Sequence, residues 1–306
     1  MKLLRIILSV ILFLIIITGL YAVIMYKKSD FEKKELTDAE RKGTSGEYIK
    51  LSQGVTHYQI AGPDTGKTVI LVHGFSVPYY IWDGTFAYLA AQGFRVLRYD
   101  QYGRGFSDRP DVNYTRELYQ TQITDLISQL KLKTPVTLIG VSFGGGITTD
   151  FTCKHPELVG KVVLIDPVYP WKKPSAPEFY TDYEEATGGQ ERADGQLADF
   201  KYPERHPQWV SKYLVQMHYK GFRHALVSTR YHYNYNGRRD NTCLNAAGKK
   251  VLLIWGKDDH TVPFTYSDSV RSVLKAEFFP VDDAAHLPYI EQADTVNKRI
   301  SNFLKE

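Results

Sequence analysis

Hydrophobic and polar positions divide the chain into two parts with different patterns. From Ile6 to Tyr26 almost every position is apolar, and only Ser9, Thr18 and Gly19 interrupt the run. A helix rises about 1.5 Å per residue, so a helix over this run is about 30 Å long, which matches the hydrocarbon thickness of a membrane. The pattern therefore predicts one membrane-spanning helix at the amino end.

The residues around the apolar run bear on how it is used. A cleaved signal peptide has a shorter apolar core and a small-x-small cleavage site, but the best match here, Leu20-Tyr21-Ala22, is poor and the run continues past it. We predict an uncleaved signal-anchor in residues 1–28, with cleavage left open. Lys2 and Arg5 have no acidic neighbours, unlike the lysines after the run, so we expect the amino end in the cytoplasm and the rest of the chain outside it. The charged residues 29–46 predict a linker.

From Glu47 onward, short β-branched runs alternate with stretches of helical spacing. The runs predict strands: an antiparallel hairpin over Tyr48–Ala61, then Thr68–Val72, Phe94–Tyr99, Val136–Ile139, Lys161–Ile165, Val251–Trp255 and 276–280. The stretches between them predict helices over Ile81–Ala91, Thr115–Leu130, from Phe143 to Lys154, near 266–274 and from about Tyr289. This order predicts a mainly parallel sheet with helices on both faces.

Residues 168–245 lose the strand–helix alternation and gain Pro, Tyr, Glu and Gly. We interpret them as a helical cap inserted over the carboxyl edge of the sheet, which leaves 47–167 and 246–306 as the core. The chain has 22 tyrosines, and they are dense in this region. Packing of an irregular helical region and the lining of an apolar pocket explain this density equally well.

Charge and cysteine usage exclude several classes of function. The formal net charge is only +4, and no basic stripe with interleaved aromatic residues is present, so we expect no nucleic-acid partner. Cys153 and Cys243 match no metal-binding spacing, and the histidines show no His-Glu-x-x-His pattern, so we expect no metal and no cofactor. Two unpaired cysteines are the favoured interpretation, although a disulfide stays open if this part lies outside the cytoplasm.

The segment Gly140-Val141-Ser142-Phe143-Gly144 carries the clearest chemical signal. It follows an apolar β-type run and precedes a predicted helix, so it places one serine on a sharp strand-to-helix turn. Glycines flank the serine because such a turn leaves no room for β-carbons. The helix that starts at Phe143 can direct free amide groups at an anion formed beside the hydroxyl.

A serine hydroxyl needs a base and an orienting acid to become a nucleophile. His286 lies in a loop between the last strand and the last helix, and Asp259 directly follows a strand, so both are expected at the sheet edge. Taken singly, a loop histidine is usually solvated and an aspartate after a strand is usually a cap. The order serine, acid, histidine favours Ser142, Asp259 and His286 as a catalytic set. Asp166 is the rival acid.

Acyl transfer also requires donors for the developing oxyanion. The bent run around Gly74 allows the Phe75 amide to point inward and pair with the Phe143 amide as an oxyanion hole. His73 is better explained as a structural residue of this loop than as a base. The loop from Asp100 to Pro110 resembles a dinucleotide loop only superficially, because no helix-opening third glycine follows.

These motifs together resemble the α/β-hydrolase fold superfamily over roughly residues 47–306. The segments that carry the resemblance are His73–Phe75, Asp100–Pro110, Gly140–Gly144, Trp255–Asp259 with Pro263, and His286 with Pro288. The resemblance implies an eight-stranded, mostly parallel sheet and a helical cap after the sixth strand. It also implies Ser142 as nucleophile, His286 as base, Asp259 as acid, and the Phe75 and Phe143 amides as oxyanion donors.

Within that superfamily several activities stay open. Ser142 argues against haloalkane dehalogenases and epoxide hydrolases, which carry aspartate at this position, and Phe143 against proline iminopeptidases, which usually carry tryptophan there. The first expectation is a membrane-anchored serine hydrolase of carboxylic esters with apolar acyl groups, such as a carboxylesterase or a monoacylglycerol-lipase-like enzyme. The alternatives are a carbon–carbon bond hydrolase or perhydrolase, and a non-catalytic ligand-binding member. Substrate, acyl length and oligomeric state stay open.

Overall fold

One eight-stranded sheet organises the chain, and the computed structural model describes residues 1–306. The strands are β1 (Glu47–Leu51), β2 (Gly54–Ala61), β3 (Thr68–Val72), β4 (Arg95–Tyr99), β5 (Val136–Val141), β6 (Val159–Ile165), β7 (Lys250–Gly256) and β8 (Glu277–Val281). Their order in the sheet is β1-β2-β4-β3-β5-β6-β7-β8. The hairpin β1–β2 is antiparallel, β2 also pairs antiparallel with β4, and β3 to β8 are parallel, as predicted.

The helices fall into three groups: one at the amino end, those that cover the sheet, and those between β6 and β7. In chain order they are α1 (Lys2–Ser29), α2 (Asp38–Arg41), α3 (Asp83–Ala91), α4 (Arg116–Gln129), α5 (Phe143–Lys154), α6 (Glu178–Thr187), α7 (Gly189–Gly195), α8 (Trp209–Met217), α9 (Phe222–His232), α10 (Gly237–Ala246), α11 (Tyr266–Arg271), α12 (Pro288–Glu291) and α13 (Ala293–Lys305). Short 3-10 turns lie at Tyr79–Trp82, Pro156–Leu158, Gln196–Asp199 and Pro203–Arg205.

The two faces of the sheet bury two separate apolar clusters. Along β3, Ile70 and Val72 belong to the cluster under α4 and α5, whereas Val69 and Leu71 belong to the cluster under α3 and α13. All residues of β3 are buried, because a parallel strand covered by helices on both faces exposes neither side. This explains why the strand reads as a continuous apolar run rather than as an alternating one.

Five helices, α6 to α10, lie between β6 and β7, within the stretch predicted as a helical insertion. The last of them packs on α5, and a disulfide between Cys153 of α5 and Cys243 of α10 joins the two helices. The favoured interpretation of two unpaired cysteines is therefore wrong. The two residues are 90 positions apart, and only the packing of α10 on α5 brings them together.

The helix α1 has a mean hydropathy of 2.9 over its most apolar window and none of its residues is buried. By length and composition it is able to cross a membrane, and a signal sequence meets the same criteria. Its last turns differ from the rest, because Ala22, Met25 and Tyr26 are half-buried where α1 packs against α6.

Candidate active site

The nucleophile candidate lies on a strained turn between β5 and α5. Ser142 has φ 53° and ψ −122°, a conformation that costs a non-glycine residue of the order of 1–3 kcal/mol. The surrounding backbone holds it there: the Ser142 amide donates to the Ile165 carbonyl at 3.0 Å, and the Ser142 carbonyl accepts from the Val168 amide at 3.0 Å. A β-carbon on Gly144 would collide with the backbone of Val72 and His73, which explains the glycine after the serine.

The base and acid candidates are hydrogen-bonded to each other. Nδ1 of His286 lies 2.8 Å from Oδ2 of Asp259, and both side chains are buried. The other carboxylate oxygen of Asp259 accepts from the amides of Thr261 and Val262 at 2.8 and 2.9 Å. A carboxylate fixed by two amides keeps Nδ1 protonated and leaves Nε2 of the imidazole free to accept a proton.

Ser142 and His286 line the same cavity, which has a volume of about 160 Å³. A β-carbon on Gly74 would lie 3.5 Å from the Ser142 β-carbon, so the loop after β3 forms the wall beside the serine. The structure has no hydrogen bond between the Ser142 hydroxyl and the His286 imidazole. Contacts of this kind are often long without substrate and shorten in the complex.

Two acidic side chains raise the pKa of His286, and a third carboxyl lies beside them. Burial lowers the pKa of the imidazole, but the charge and hydrogen bond of Asp259 and the charge of Asp199 raise it to about 9. Asp166, the rival acid, lies in the same cluster, with the nearest ligating atoms of Asp166, Asp259 and His286 within 4.8 Å of one another. Burial and the charge of Asp259 raise the pKa of Asp166 well above its usual range, so the neutral form of this carboxyl is more favoured than it would be in water. The sequence favoured Asp259 over Asp166 as the partner of the base, and in the structure His286 is hydrogen-bonded to Asp259.

The oxyanion-hole candidates lie on either side of the serine. Phe143 is the first residue of α5, so its amide has no partner within the helix, and neither it nor the Phe75 amide donates to the backbone elsewhere. Arg104 fixes the loop, because its Nε donates to the Phe75 carbonyl at 2.9 Å. Nothing in the local sequence around Arg104 indicates this contact, which depends on how the loop after β4 folds back.

His73 is a structural residue of the loop that follows β3 and carries Phe75. Its Nδ1 donates to the Gly74 carbonyl at 2.9 Å, and its Nε2 accepts from the Gln101 amide at 2.9 Å. Burial lowers its pKa to about 4, so the ring is neutral at pH 7. Both nitrogens are occupied, which leaves no site for a substrate proton.

A second His–Asp pair lies away from Ser142, beside a larger cavity of about 300 Å³. Nδ1 of His57 lies 2.7 Å from Oδ2 of Asp100, and Nε2 of His57 lies 2.7 Å from the Ser45 carbonyl. The Tyr79 hydroxyl lies 3.3 Å from the same Nε2, but it donates to the Ser45 carbonyl at 2.9 Å. Both groups at Nε2 thus belong to one buried network that ties the loop from Asp100 onward to the segment before β1.

Sequence reasoning missed the residues that close the cavity from the helical side. Arg192, Gln196 and Asp199 line it together with Ser142 and His286, and Asp199 also accepts the His286 amide at its carbonyl, at 3.1 Å. These residues belong to α7 and the following turn, where no motif marks them. Asp258, next to the acid candidate, pairs instead with Lys201 at the surface.

Asp166, Asp259 and His286 are also the one cluster whose geometry is compatible with a metal ion. The His286–Asp259 hydrogen bond already occupies two of its ligand atoms, and burial of Asp166 raises the pKa of its carboxyl, which disfavours the charged form that a cation requires. A proton-transfer pair with a neighbouring acid describes this arrangement better than a ligand set does.

The comparisons with known proteins agree with this fold. A family model described as "Alpha/beta hydrolase family" matches residues 69–299. The chain belongs to the alpha/beta hydrolase family. The matched residues include the elbow, Asp259 and His286.

Two solved alpha/beta hydrolases share the fold with low sequence identity. The chain is similar to an enol-lactonase from Burkholderia xenovorans LB400, with 23% identity, a TM-score of 0.74, and coverage of 85% of this chain and 100% of that one. It is also similar to a meta-cleavage product hydrolase from Pseudomonas fluorescens IP01, with 23% identity, a TM-score of 0.71, and coverage of 85% and 97%. Identities at this level show the fold alone.

Curated relatives include enzymes and uncharacterized proteins. A bifunctional esterase/perhydrolase from Acinetobacter calcoaceticus is 25% identical over 276 residues, covering 84% of this chain and 99% of that protein. Over 108 residues, the chain is 36% identical to an uncharacterized protein of Mycobacterium tuberculosis, and this match spans only 30% of that protein's length. Membership of a hydrolase family with esterase and perhydrolase relatives follows, whereas the substrate does not.

Proposed function

We propose that this alpha/beta hydrolase is a membrane-anchored serine esterase that cleaves carboxylic esters with apolar acyl groups. The observation that carries the proposal is the strained Ser142, which lines one cavity with a His286 already oriented by Asp259. Because Asp259 holds Nδ1, Nε2 is the imidazole nitrogen that remains to act on the serine.

In the proposed reaction, Ser142 Oγ attacks the ester carbonyl while His286 Nε2 takes the hydroxyl proton. The amides of Phe75 and Phe143 stabilise the oxyanion, which is worth about 3 kcal/mol per donor in related sites. His286 then protonates the leaving alcohol, and an acyl-enzyme on Ser142 remains. Water, deprotonated by His286, hydrolyses the acyl-enzyme and restores the serine.

The cavity walls favour a short or slender apolar acyl group. Phe75, Val77, Ile81 and Leu287 supply apolar surface. A volume of about 160 Å³ lies below the range of about 300–1,000 Å³ that is usual for drug-sized ligands. We therefore expect short-chain esters, or monoacyl glycerol esters whose alcohol extends out of the cavity.

The anchor is the other half of the proposal. We infer that α1 stays attached and holds the enzyme to the outer side of a membrane. The Cys153–Cys243 disulfide supports this side, because such bonds persist in oxidising compartments and are rare in the cytoplasm.

Hydrolysis of p-nitrophenyl butyrate by Ser142→Ala tests the catalytic assignment. We expect a loss of activity of about 10³-fold or more, because the variant lacks the nucleophile. Ser272→Ala, a change at an exposed serine beyond α11, is the matched control and should match the parent. A fluorophosphonate probe should label the parent but not Ser142→Ala, whereas a non-catalytic binder would leave both unlabelled. Unchanged turnover in Ser142→Ala would refute the assignment.

A second candidate is perhydrolysis or carbon–carbon bond hydrolysis at the same serine. The similarity to a bifunctional esterase/perhydrolase over nearly its whole length supports keeping it. It predicts weak turnover of simple esters, together with strong peracid formation from hydrogen peroxide and a carboxylic acid, or strong cleavage of a β-diketone-like acid. A substrate panel that includes all three classes separates these activities.

A further inference from the structure

The carboxyl end of α1 packs against α6, and we infer from their contacts that the two helices run in the same direction. The Tyr26 hydroxyl donates to Asp182 at 2.9 Å, and the rings of Tyr26 and Tyr183 are stacked with centroids 6.3 Å apart. Farther along, the ring of Phe31 packs against Gly189, just beyond α6. Contacts thus advance along both segments together, from Tyr26 to Phe31 on one and from Asp182 to Gly189 on the other.

This alignment places the first turn of α6 beside the apolar span of α1. One helical turn before Tyr26 is Ala22, which is half-buried although its neighbours are exposed. One turn before Asp182 and Tyr183 is the segment Glu178–Tyr180, which we call the α6 tip. The α6 tip therefore lies level with Ala22, inside the run of residues that would contact lipid.

The α6 tip carries exposed aromatic side chains. Phe179 is 76% exposed and Tyr180 is 48% exposed, whereas large apolar side chains outside α1 are otherwise mostly covered. Shortly before them, Lys172 and Lys173 are also exposed. Exposed aromatic residues next to lysines are typical of surfaces that contact the boundary between acyl chains and anionic head groups.

An arginine fixes α6 to the end of α1. Arg223 donates through Nε to Asp182 at 2.8 Å and through Nη1 to Asp30 at 2.7 Å. Its Nη2 donates to the Tyr26 hydroxyl at 2.6 Å. These bonds join three segments in one cluster, so the depth of the α6 tip is set by the position of α1.

The same segment leads back to the active site. The ring of Trp171 lies with its centroid 5.8 Å from that of Phe75 and 5.1 Å from that of Phe143, the two residues whose amides flank Ser142. Residues 171–180 thus connect the neighbourhood of the nucleophile to the exposed aromatic pair.

We propose that the α6 tip inserts into the bilayer that α1 spans and that the enzyme takes its ester from the membrane through this contact. The inference rests on the proposed anchor. Beyond the anchor, the inference states that residues of the catalytic body, and not α1 alone, contact lipid.

Depth-dependent fluorescence quenching in the full chain tests the contact. Phe179→Cys is labelled with an environment-sensitive dye and reconstituted in vesicles of phosphatidylcholine and phosphatidylglycerol that contain nitroxide-labelled lipid. Leu12→Cys reports on the anchor, and Asn302→Cys, exposed on α13, reports on the distant surface. The native disulfide is kept by labelling without reductant.

We expect the dye at positions 12 and 179 to be quenched about twofold or more and the dye at 302 to be unaffected, because only lipid-exposed positions meet the nitroxide. Quenching at 12 without quenching at 179 overturns the inference and leaves the anchor standing. Failure at 12 overturns the anchor and the inference with it. If the dye at 179 is protected from solvent only at a high protein-to-lipid ratio, position 179 contacts a second copy of the chain. This result also overturns the inference.

Activity supplies an independent measurement that does not depend on the dye. In the double variant Phe179→Ser with Tyr180→Ser, we expect hydrolysis of a vesicle-embedded monoacyl glycerol ester to fall about tenfold while hydrolysis of water-soluble p-nitrophenyl acetate is unchanged. Val215→Ser, which removes another exposed apolar side chain on α8, should leave both activities unchanged. Equal loss on both substrates, or no loss on the embedded ester, contradicts the inference.

Discussion

At the scale of single residues, the site depends on which of two buried aspartates is hydrogen-bonded to His286. The His286 imidazole is hydrogen-bonded to Asp259, whose carboxylate also accepts two amides. In Asp166, one oxygen accepts the Gly256 amide at 2.9 Å and the other is buried without a hydrogen-bond partner, and burial raises the pKa of this carboxyl well above its usual range. The two acids are therefore not interchangeable, although both follow a strand of the sheet.

Replacement of each aspartate by asparagine should separate their roles. Asp259→Asn presents the wrong partner to Nδ1, so we expect kcat to fall by about 10³–10⁴-fold. Asp166→Asn keeps the shape of a side chain that bonds the Gly256 amide rather than His286, so we expect a change below about tenfold. Steady-state kinetics on p-nitrophenyl butyrate measure both, and a larger loss in Asp166→Asn would transfer the role of acid to that residue.

The raised pKa of His286 predicts an alkaline pH profile. The imidazole must be neutral to accept the serine proton, and with a pKa of about 9 it is mostly protonated at pH 7. We expect kcat/KM to fall about tenfold per pH unit below pH 9. Asp199→Asn removes a charge that raises this pKa, so the rising limb should move to lower pH; a limb centred near pH 6.5 in the parent would contradict the prediction.

At the scale of elements, the parts set by local pattern were predictable and the parts set by tertiary contact were not. The strands β3 to β6 and the elbow follow from continuous β-branched runs and from glycines at positions without room for a β-carbon. Ser142, Asp259 and His286 could be named because each directly follows a strand or precedes a helix in an ordered set.

Long-range pairings left no such local signal. The disulfide depends on the packing of α10 on α5, and Arg192 and Asp199 reach the cavity through irregular helices whose spacing carries no motif. The hydrogen bond from Arg104 to the Phe75 carbonyl could not be predicted from the sequence, because it also depends on tertiary packing. The candidate catalytic set was therefore easier to predict from the sequence than the residues that line the cavity around it.

The close contact between α5 and β3 gives a test of how tightly the elbow is packed. In Gly144→Ala the new β-carbon meets the rigid backbone of Val72 and His73, so we expect unfolding free energy to fall by about 1–3 kcal/mol, together with lost activity. Gly84→Ala, in the open first turns of α3, has nothing nearby and should raise stability by about 0.5–1 kcal/mol. Urea denaturation measures both, and a Gly144→Ala variant as stable as the parent would contradict this account of the turn.

At the scale of the whole molecule, the region between α1 and β1 is more than a spacer. Residues 29–46, predicted as a linker, contact both the inserted helices and the sheet. Asp30 forms an ion pair with Arg223 of α9. Farther along, Arg41 donates to the Phe106 carbonyl at 3.2 Å, and the Ser45 carbonyl lies 2.7 Å from Nε2 of His57. The core thus completes its buried polar contacts with residues that precede β1.

Two truncations should divide the amino end by function. A chain that begins at Asp30 loses α1, whose half-buried residues all lie in its last turns, so we expect a folded protein that hydrolyses water-soluble esters like the parent. A chain that begins at Glu47 also loses the Ser45 carbonyl, which leaves the buried His57 without one partner, and we expect a cost of about 1–3 kcal/mol from that group. Thermal unfolding and p-nitrophenyl butyrate turnover of the two chains measure the difference. Equal stability of the two chains would show that residues 30–46 are only a tether, whereas loss of soluble-ester activity in the longer chain would show that α1 itself supports the catalytic body.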